Sequence, residues 1–298
     1  MPRRNMPRVS FIGFGEAGQA IASGLRESGV ERIAAWDILF SESAGENLKA
    51  AGRTIGVRLA VSAQDAVAGA DMIITAVTAA SNLEAARSVA PHLSGAPWYL
   101  DVNSVSPGRK QETEKLLGDM ARYVDVAVVA AIHPARHRTP LLIAGPHAET
   151  AAPLLHALDM QLSVVGAQTG AAAAIKMIRS VMIKGIEALT LECFLAARRA
   201  GVLDEVTASL KNNYPGLDWP KLTDYNLERM ASHGERRAAE MEESAATLRG
   251  LGLDSLMVDA TVKRQREMGA IGKDDKVHAA KAQGRAAMLD AISATKRK

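Results

Sequence analysis

The chain has 298 residues, too many for one ordinary hydrophobic core, and its length suits two domains. Hydrophobic residues make up 48% and charged residues 23%, a balance typical of a folded globular protein rather than a disordered one. The formal net charge is only +3, and part of the basic excess lies in the tails, at Arg3, Arg4 and residues 296–298. This distribution does not favour a nucleic-acid partner, which requires a basic face on the folded part.

Membrane and secretory signals are not expected. No run approaches the roughly 18 consecutive apolar residues that cross a bilayer, and the first apolar stretch turns into a glycine-rich loop too soon for a secretory signal. Cys193 is the only cysteine, so an intrachain disulfide is excluded, and we expect a cytoplasmic protein. Its apolar helical surroundings favour a small buried side chain over a nucleophile.

The first part of the chain alternates short β-rich runs with helical segments. The predicted strands are Val9–Ile12, Arg32–Trp36, Met72–Ala76, Trp98–Asp101, Tyr123–Val126 and Leu141–Ala144. Strands that alternate with helices pair in parallel through right-handed crossovers. We therefore predict an α/β domain with a doubly wound, mostly parallel sheet over residues 1–167.

Residues 168–298 carry no further strand signal and are predicted to form an all-helical domain. It begins with a helix over Gly170–Ala200, far longer than the mean helix of about 11 residues. Apolar residues at helical spacing predict that one face of this helix is buried. These residues are Ile175, Ile178, Met182, Ile186, Leu189 and Cys193. Further helices are predicted over Asp204–Asn212, Leu222–Ser232, Glu235–Gly250 and Ser255–Met268.

The first strand runs directly into Gly13-Phe-Gly-Glu-Ala-Gly18, and a helical segment follows. In this order the motif is typical of a Rossmann domain: the glycines allow a tight turn, close approach of a pyrophosphate, and packing of helix on strand. The pyrophosphate rests on the N–H groups of the helix N-terminus. A strand–turn–helix without a ligand is the alternative. The candidate cofactor-binding residues are Gly13, Phe14, Gly15, Glu16, Ala17, Gly18, Asp37, Val77, Thr78 and Asn103.

Asp37 bears on the choice of cofactor. It ends the second strand about 20 residues past Gly18, where a carboxylate binds the adenosine ribose hydroxyls and repels a 2′-phosphate. No lysine or arginine follows until Lys49. The pattern favours NAD without excluding NADP, and a surface turn carboxylate is the alternative.

Four segments carry a family resemblance: Phe11–Ala20, Asp101–Pro107, Asp125–Ala131 and Gly170–Lys176. In these segments, and in its domain order, the chain resembles the β-hydroxyacid dehydrogenases, a superfamily that includes 3-hydroxyisobutyrate and 6-phosphogluconate dehydrogenases. The resemblance implies hydride transfer between a nicotinamide and an anionic hydroxy substrate, with Lys176 as general acid and base. The segments around Lys176 and His233 resemble a less studied branch with a 6-phosphogluconate dehydrogenase-like C-terminal domain.

Two departures from the family pattern put the usual small hydroxyacid substrate in doubt. Val129-Ala130-Ala131 stands where the family has Ser-Gly-Gly, so the hydroxyl that would hold a substrate carboxylate is missing. Ser180 stands where the family has asparagine. The candidate substrate-binding residues are Ser104, Ala130, Ala131, Arg136, Ser180, His233 and Arg237.

Lys176 lies on one helical stripe with Ser180 and Lys184, because the three are four residues apart in turn. A lysine that borders an apolar face near a dinucleotide is partly desolvated, and its pKa falls towards neutrality. Spacing alone favours a solvated helix lysine, and it is the resemblance that selects the acid–base role. Asn103 and Ser104 either bind the nicotinamide carboxamide or substrate hydroxyl, or cap the strand-to-turn junction.

Several basic residues admit two interpretations. The loop from His133 to Arg138 either binds a carboxylate or phosphate through Arg136, or is a solvated basic loop. No acidic or cysteine cluster accompanies its histidines, so no metal site is expected. His233 and Arg237 either reach the cleft of a closed or dimeric protein, or belong to an exposed charged face.

Three functional hypotheses follow from the sequence. The first is an NAD(P)-dependent dehydrogenase or reductase acting on a small-molecule substrate. The second is an imine reductase, although that group usually places another residue at the position of Lys176. The third is a non-catalytic dinucleotide-binding protein, which the Val129–Ala131 replacement favours. The family resemblance also implies a homodimer that buries apolar faces of the long helices.

Overall fold

The computed structural model of the protein describes residues 6–295; the basic tails noted above lie outside the described residues. The described residues form two compact units, which divide between Lys176 and Met177. They divide within the long helix, whereas the sequence places the boundary before it, at residue 167.

The first unit contains an eight-stranded sheet within the described residues, in the order β3-β2-β1-β4-β5-β6-β7-β8. The strands are β1 (Val9–Ile12), β2 (Ile33–Trp36), β3 (Arg58–Leu59), β4 (Met72–Thr75), β5 (Trp98–Asp101), β6 (Arg122–Val128), β7 (Leu141–Ala144) and β8 (Leu162–Gly166). Neighbouring strands are parallel except for β6 and β7, which are antiparallel. The predicted doubly wound, mostly parallel sheet is therefore confirmed.

Helices cover both faces of this sheet and complete two apolar layers. They are α1 (Glu16–Glu27), α2 (Glu46–Ile55), α3 (Ala63–Val67), α4 (Asn82–Val89), α5 (Pro107–Leu117) and α6 (Ala148–Ala157). The central strands β1, β4 and β5 are buried along their whole length, as apolar strands between two helical layers must be. The carboxyl ends of β1, β4, β5 and β6 consequently share one edge of the sheet, where ligands of open α/β sheets bind.

The C-terminal part of the chain is helical within the described residues. Its helices are α7 (Ala171–Ala200), α8 (Leu203–Asn213), α9 (Trp219–Gly250), α10 (Leu256–Ile271), α11 (Asp275–Ala280) and α12 (Arg285–Thr295). The two helices predicted on either side of Gly234 are one helix, α9. α10 packs closely against Gly234: a Cβ there would lie 2.3 Å from the Gln265 carbonyl oxygen.

This chain does not bury the apolar face predicted for α7. The side chains of Ile175, Ile178, Met182, Ile186 and Leu189 are exposed, between 38% and 65% of their area, and Cys193 is exposed as well. The core of the second unit instead takes Leu191, Phe194 and Leu195 from α7. The periodicity correctly grouped the residues that share one face of α7, but the rest of the chain packs against a different face of this helix.

Candidate active site

The glycine loop connects β1 to α1, and each glycine meets a different constraint. Gly13 has a φ of +88°, and a Cβ there would lie 2.5 Å from the carbonyl oxygen of Ala76. A Cβ on Gly18 would lie 2.7 Å from the carbonyl oxygen of Gly13, so the helix packs directly on the turn. A Cβ on Gly15 would meet nothing within 4 Å. Gly15 thus faces open space, as the residue that a pyrophosphate approaches must.

The N-terminus of α1 is suited to an anion. Gly15 occupies the N-cap position and brings no side chain to bond the first-turn N–H groups. These groups and the helix dipole favour negative charge at this point. Glu16 and Ala17 form the first turn, and the Glu16 side chain is exposed. The residues of this loop fit a dinucleotide.

Asp37 links the end of β2 to the glycine loop. Its Oδ2 accepts a hydrogen bond from the Phe14 N–H at 2.7 Å, and its Oδ1 accepts one from the Leu39 N–H at 3.0 Å. Each carboxylate oxygen has a second lone pair, so Asp37 retains the capacity to accept from ribose hydroxyls. It therefore both fixes the loop and presents a negative charge beside it.

Asn103 joins the loops that follow β4 and β5. Its side-chain oxygen accepts from the Val77 N–H at 2.6 Å, and its Nδ2 donates to Thr75 Oγ1 at 3.2 Å. The residue is buried. In this structure the Asn103 amide binds its own chain and caps the end of the strand, while the hydroxyl of the neighbouring Thr78 contacts Ser81.

Lys176 and Ser104 meet at the same edge of the sheet. Ser104 directly follows Asn103, and its Oγ accepts a hydrogen bond from Lys176 Nζ at 2.6 Å. Both residues are partly buried. The contacts of Gly13 with Ala76, of Val77 with Asn103, and of Ser104 with Lys176 thus form a continuous path from the glycine loop to the lysine. All of these residues belong to the first unit.

A fully buried charge cluster, which the sequence analysis missed, lies behind Ser104. Lys110, Asp101 and Asp125 are each 0% exposed. Lys110 Nζ lies 3.2 Å from Asp101 Oδ1 and 3.5 Å from Asp125 Oδ1. Asp101 Oδ2 also accepts from Asn82 Nδ2 at 2.9 Å and from the Tyr123 hydroxyl at 2.8 Å. Burial, followed by the negative charge of Asp101, raises the pKa of the Tyr123 hydroxyl well above its usual value.

The loop after β6 lies along α1. Ala130 and Ala131 are exposed. The guanidinium of Arg136 forms an ion pair with Glu27, the last residue of α1, and Arg136 Nη1 also bonds Ser23 Oγ at 3.3 Å. Arg136 is therefore engaged at the end of α1 remote from the glycine loop, and the structure does not bring it to Ser104 and Lys176.

His137 of the same loop is buried against α1. Its Nε2 is 2.9 Å from Ser28 Oγ, and a Cβ on Gly24 would collide with its ring. Burial, reinforced by Arg138, lowers the pKa of His137. This histidine packs the loop onto the helix rather than facing a ligand.

The second unit contains its own buried polar cluster. Lys184 Nζ donates to Ser180 Oγ at 3.1 Å and lies 3.0 Å from Glu240. Burial lowers the pKa of Lys184, and Glu240 partly offsets this shift. Ser180 is thereby a hydrogen-bond partner of a buried lysine.

Arg237 is held by a second buried carboxylate. Its guanidinium pairs with Glu187, which is only 1% exposed and also accepts from Gln265 Nε2 at 2.7 Å. Arg237 is therefore neutralised within its own unit, and an anionic substrate would have to compete with Glu187. His233 lies one turn earlier on α9 and is partly exposed.

Residues 6–295 contain no group of three or more histidine, cysteine, aspartate or glutamate side chains placed to hold a metal ion. None of their helices is long and apolar enough to cross a membrane.

The parallel sheet, the glycine loop and Asp37 define a Rossmann-type dinucleotide-binding protein. Residues 8–103 match the family model described as NADP oxidoreductase, coenzyme F420-dependent. Residues 197–268 match a domain of unknown function, DUF1932.

Solved structures extend these matches over the whole chain. A conserved hypothetical protein from Sinorhizobium meliloti 1021 is 36% identical, over 97% of this chain and 96% of that one, with a TM-score of 0.74. MTH1747, a conserved protein described as structurally similar to 3-hydroxyacid dehydrogenases, is 30% identical over 88% of this chain and 97% of its own, with a TM-score of 0.70. The 3-hydroxyisobutyrate dehydrogenase of Mycobacterium tuberculosis shares the fold, with 18% identity, coverage of 97% and 99%, and a TM-score of 0.71.

The chain belongs to the same family as the Sinorhizobium meliloti protein and MTH1747, and the latter is described as structurally similar to 3-hydroxyacid dehydrogenases. Its N-terminal domain is of the kind found in NAD(P)-dependent oxidoreductases, and the similarities support that class for this protein. The resemblance noted in the sequence is thereby confirmed.

Proposed function

We propose that the protein transfers hydride between a nicotinamide cofactor and an anionic hydroxy or carbonyl compound, with Lys176 as general acid and base. The single observation that carries the proposal is the 2.6 Å hydrogen bond between Lys176 Nζ and Ser104 Oγ. It holds a proton-transfer group at the carboxyl edge of the sheet, on a path of contacts that begins at the glycine loop.

The cofactor would be held by the glycine loop, with Asp37 at the adenosine ribose. A bound nicotinamide supplies the hydride chemistry, and the protein supplies position and proton traffic. The negative charge of Asp37 beside Phe14 N–H supports NAD over NADP, because a 2′-phosphate would be repelled there.

The proton steps belong to the side chains. In oxidation, neutral Lys176 Nζ takes the proton of the substrate hydroxyl; in reduction, the ammonium returns it to the carbonyl oxygen. Ser104 Oγ accepts from the lysine and can donate its own hydroxyl proton to the same substrate oxygen. The exposed Ala130 and Ala131 leave backbone N–H groups for the anionic part of the substrate.

Replacing Lys176 tests this assignment. Lys176→Met is expected to lower turnover by about 10²–10⁴-fold, the usual worth of a general acid or base. NADH affinity, measured by fluorescence titration, should stay within about twofold, since the dinucleotide contacts lie elsewhere. Lys115→Met removes an exposed lysine from α5 and is the matched control. The substrate panel contains short hydroxyacids, their oxoacids and cyclic imines, each with NAD(H) and NADP(H).

The outcomes separate the alternatives. Unchanged turnover of Lys176→Met would remove the lysine from the mechanism. Activity confined to imines would identify an imine reductase, and tight NADH binding by the wild type without turnover would identify a dinucleotide-binding protein. If the wild type prefers NADPH to NADH, the role given to Asp37 is contradicted.

We also propose that the protein is a homodimer in the cytoplasm. The exposed stripe of Ile178, Met182, Ile186 and Leu189 on α7 is a contiguous apolar surface of the kind that subunit interfaces cover. Cys193 continues the stripe, so the reactivity of its thiol reports whether the stripe is covered. As the single cysteine of the chain, it also supports a reducing compartment. Met182→Glu is expected to shift the mass in light scattering from dimer to monomer and to speed maleimide labelling of Cys193. A wild-type monomer would refute the proposal.

A further inference from the structure

Lys110 differs from every other charged residue of α5 in its burial. The helix carries Arg109, Lys110, Glu112, Glu114 and Lys115, yet among these only Lys110 has a side chain removed from solvent, at 1% exposure. Desolvating a lysine costs several kcal/mol unless its charge and all its donors are compensated. Here the compensation is complete: besides Asp101 and Asp125, Lys110 Nζ donates to the backbone carbonyls of Asp101 at 2.5 Å and Val126 at 3.3 Å.

The first carboxylate of the cluster fixes the segment that carries Ser104. Asp101 Oδ1 accepts from the backbone N–H of Asn103 at 3.0 Å, two residues past the end of β5. Its backbone carbonyl is also the closest partner of Lys110 Nζ. The turn that presents Ser104 is therefore bonded to Lys110 through Asp101.

The second carboxylate fixes the helix that carries Lys176. Asp125 Oδ2 accepts from the N–H groups of Gly170 at 3.0 Å and Ala173 at 3.1 Å, so it caps the N-terminus of α7. Lys176 lies in the next turn of that helix. The other oxygen of Asp125 makes no hydrogen bond within residues 6–295, and Lys110 is the cation that neutralises it.

We propose that Lys110 is a positioning residue that sets the contact between Lys176 and Ser104. Lys110 contacts both Asp101, which fixes the turn before Ser104, and Asp125, which caps the helix that carries Lys176. The inference deepens the proposed function and rests on it for its catalytic consequence. The geometric part, that removing Lys110 alters the surroundings of the Lys176 amine, stands independently of any reaction.

A charge-balanced double variant separates positioning from simple stability. Lys110→Met alone leaves two buried carboxylates without their cation, and it is expected to lower Tm. Lys110→Met combined with Asp125→Asn removes one charge of each sign, while the asparagine oxygen still accepts from Gly170 and Ala173. This double variant should recover most of the Tm, but residues 101 and 125 are then no longer joined through the Lys110 amine. Lys115→Met is again the matched control on the same helix.

Two readouts are needed. The first is the titration of Lys176, followed by NMR after reductive ¹³C-methylation, with Lys176→Met identifying the signal. In the double variant its midpoint is expected to move by about half a pH unit or more, since a pKa follows local contacts. The second is turnover, expected to fall at least tenfold, with the KM for NADH within about twofold.

The two proposals fail in different ways. A Lys176 titration in the double variant identical to that of the wild type overturns the positioning role, whatever the catalytic result. Recovery of full turnover together with Tm also overturns it, because Lys110 would then serve stability alone. A shifted titration with no effect of Lys176→Met on turnover instead refutes the acid–base function and leaves the positioning role intact.

Discussion

The glycine loop allows cofactor binding and stability to be perturbed separately within a single motif. A methyl group added at Gly15 would enter open space, whereas one added at Gly18 would lie 2.7 Å from a backbone oxygen of Gly13. The same substitution, glycine to alanine, should therefore weaken dinucleotide binding at one position and destabilise the fold at the other. No loss of a side-chain contact complicates either case.

The magnitudes follow from these distances. At Gly18 the helix must shift away from the turn, and overpacking of this kind costs about 1–3 kcal/mol. For domains of roughly 150–250 residues, each kcal/mol lowers Tm by about 2–4 °C. At Gly15 the cost is that of a poorer N-cap, about 1 kcal/mol or less. The methyl group there stands between the helix N-terminus and a pyrophosphate, and we expect NADH affinity to fall at least tenfold, which is about 1.4 kcal/mol.

Differential scanning fluorimetry and NADH fluorescence titration measure the two effects. Gly108→Ala is the matched control, because a Cβ there also meets nothing within 4 Å but lies on α5, outside the loop. Equal NADH affinities of Gly15→Ala and Gly108→Ala would refute the reasoning, since the dinucleotide would then not approach Gly15. A Gly18→Ala protein as stable as the wild type would show that the helix is not packed on the turn.

Two further predictions concern the electrostatics. Arg237→Met leaves Glu187 buried without its cation and should lower the free energy of unfolding by about 3–5 kcal/mol; Arg236→Met breaks an exposed pair and should cost less than about 1 kcal/mol in the same urea titration. Burial lowers the pKa of His137 below its ordinary 6.5, so the stability that its neutral form contributes is lost as pH falls from that value through the lowered one. The wild type should accordingly lose more stability than His137→Gln between about pH 8 and pH 5, and parallel losses would contradict this role.

Much of the fold was predictable because local patterns carry it. The six predicted strands are all present, since apolar runs between two helical layers leave a strong signal. The two strands that were missed lie at the edges of the sheet. Arg58–Leu59 is too short to show a pattern, and Leu162–Gly166 alternates weakly and ends in glycine. Edge strands need fewer apolar residues, so composition identifies them poorly.

The long helix marks the limit of periodicity. Its apolar residues lie on one face, as predicted, but this chain leaves that face exposed. Hydrophobic spacing shows which side chains point together, and it does not distinguish an intramolecular core from a subunit interface. The helices predicted over Leu222–Ser232 and Glu235–Gly250 are likewise one helix, and Gly234 between them permits the close approach of α10.

The sequence predicted the residues that line the candidate site but not the buried residues that support them. The glycine loop, Asp37, Ser104 and Lys176 stand in recognisable segments, because each motif is local in sequence. Lys110 has no such signal: it lies in a run of charged residues that resembles any solvated helix face. Only the register of β5 beside β6, which sets Asp101 opposite Asp125, places two carboxylates under that one position of α5. The partners of Lys110 come from two strands that are distant from it in sequence, so its role is visible only in the folded chain. The residues that support the site, unlike those of the site itself, therefore required the structure.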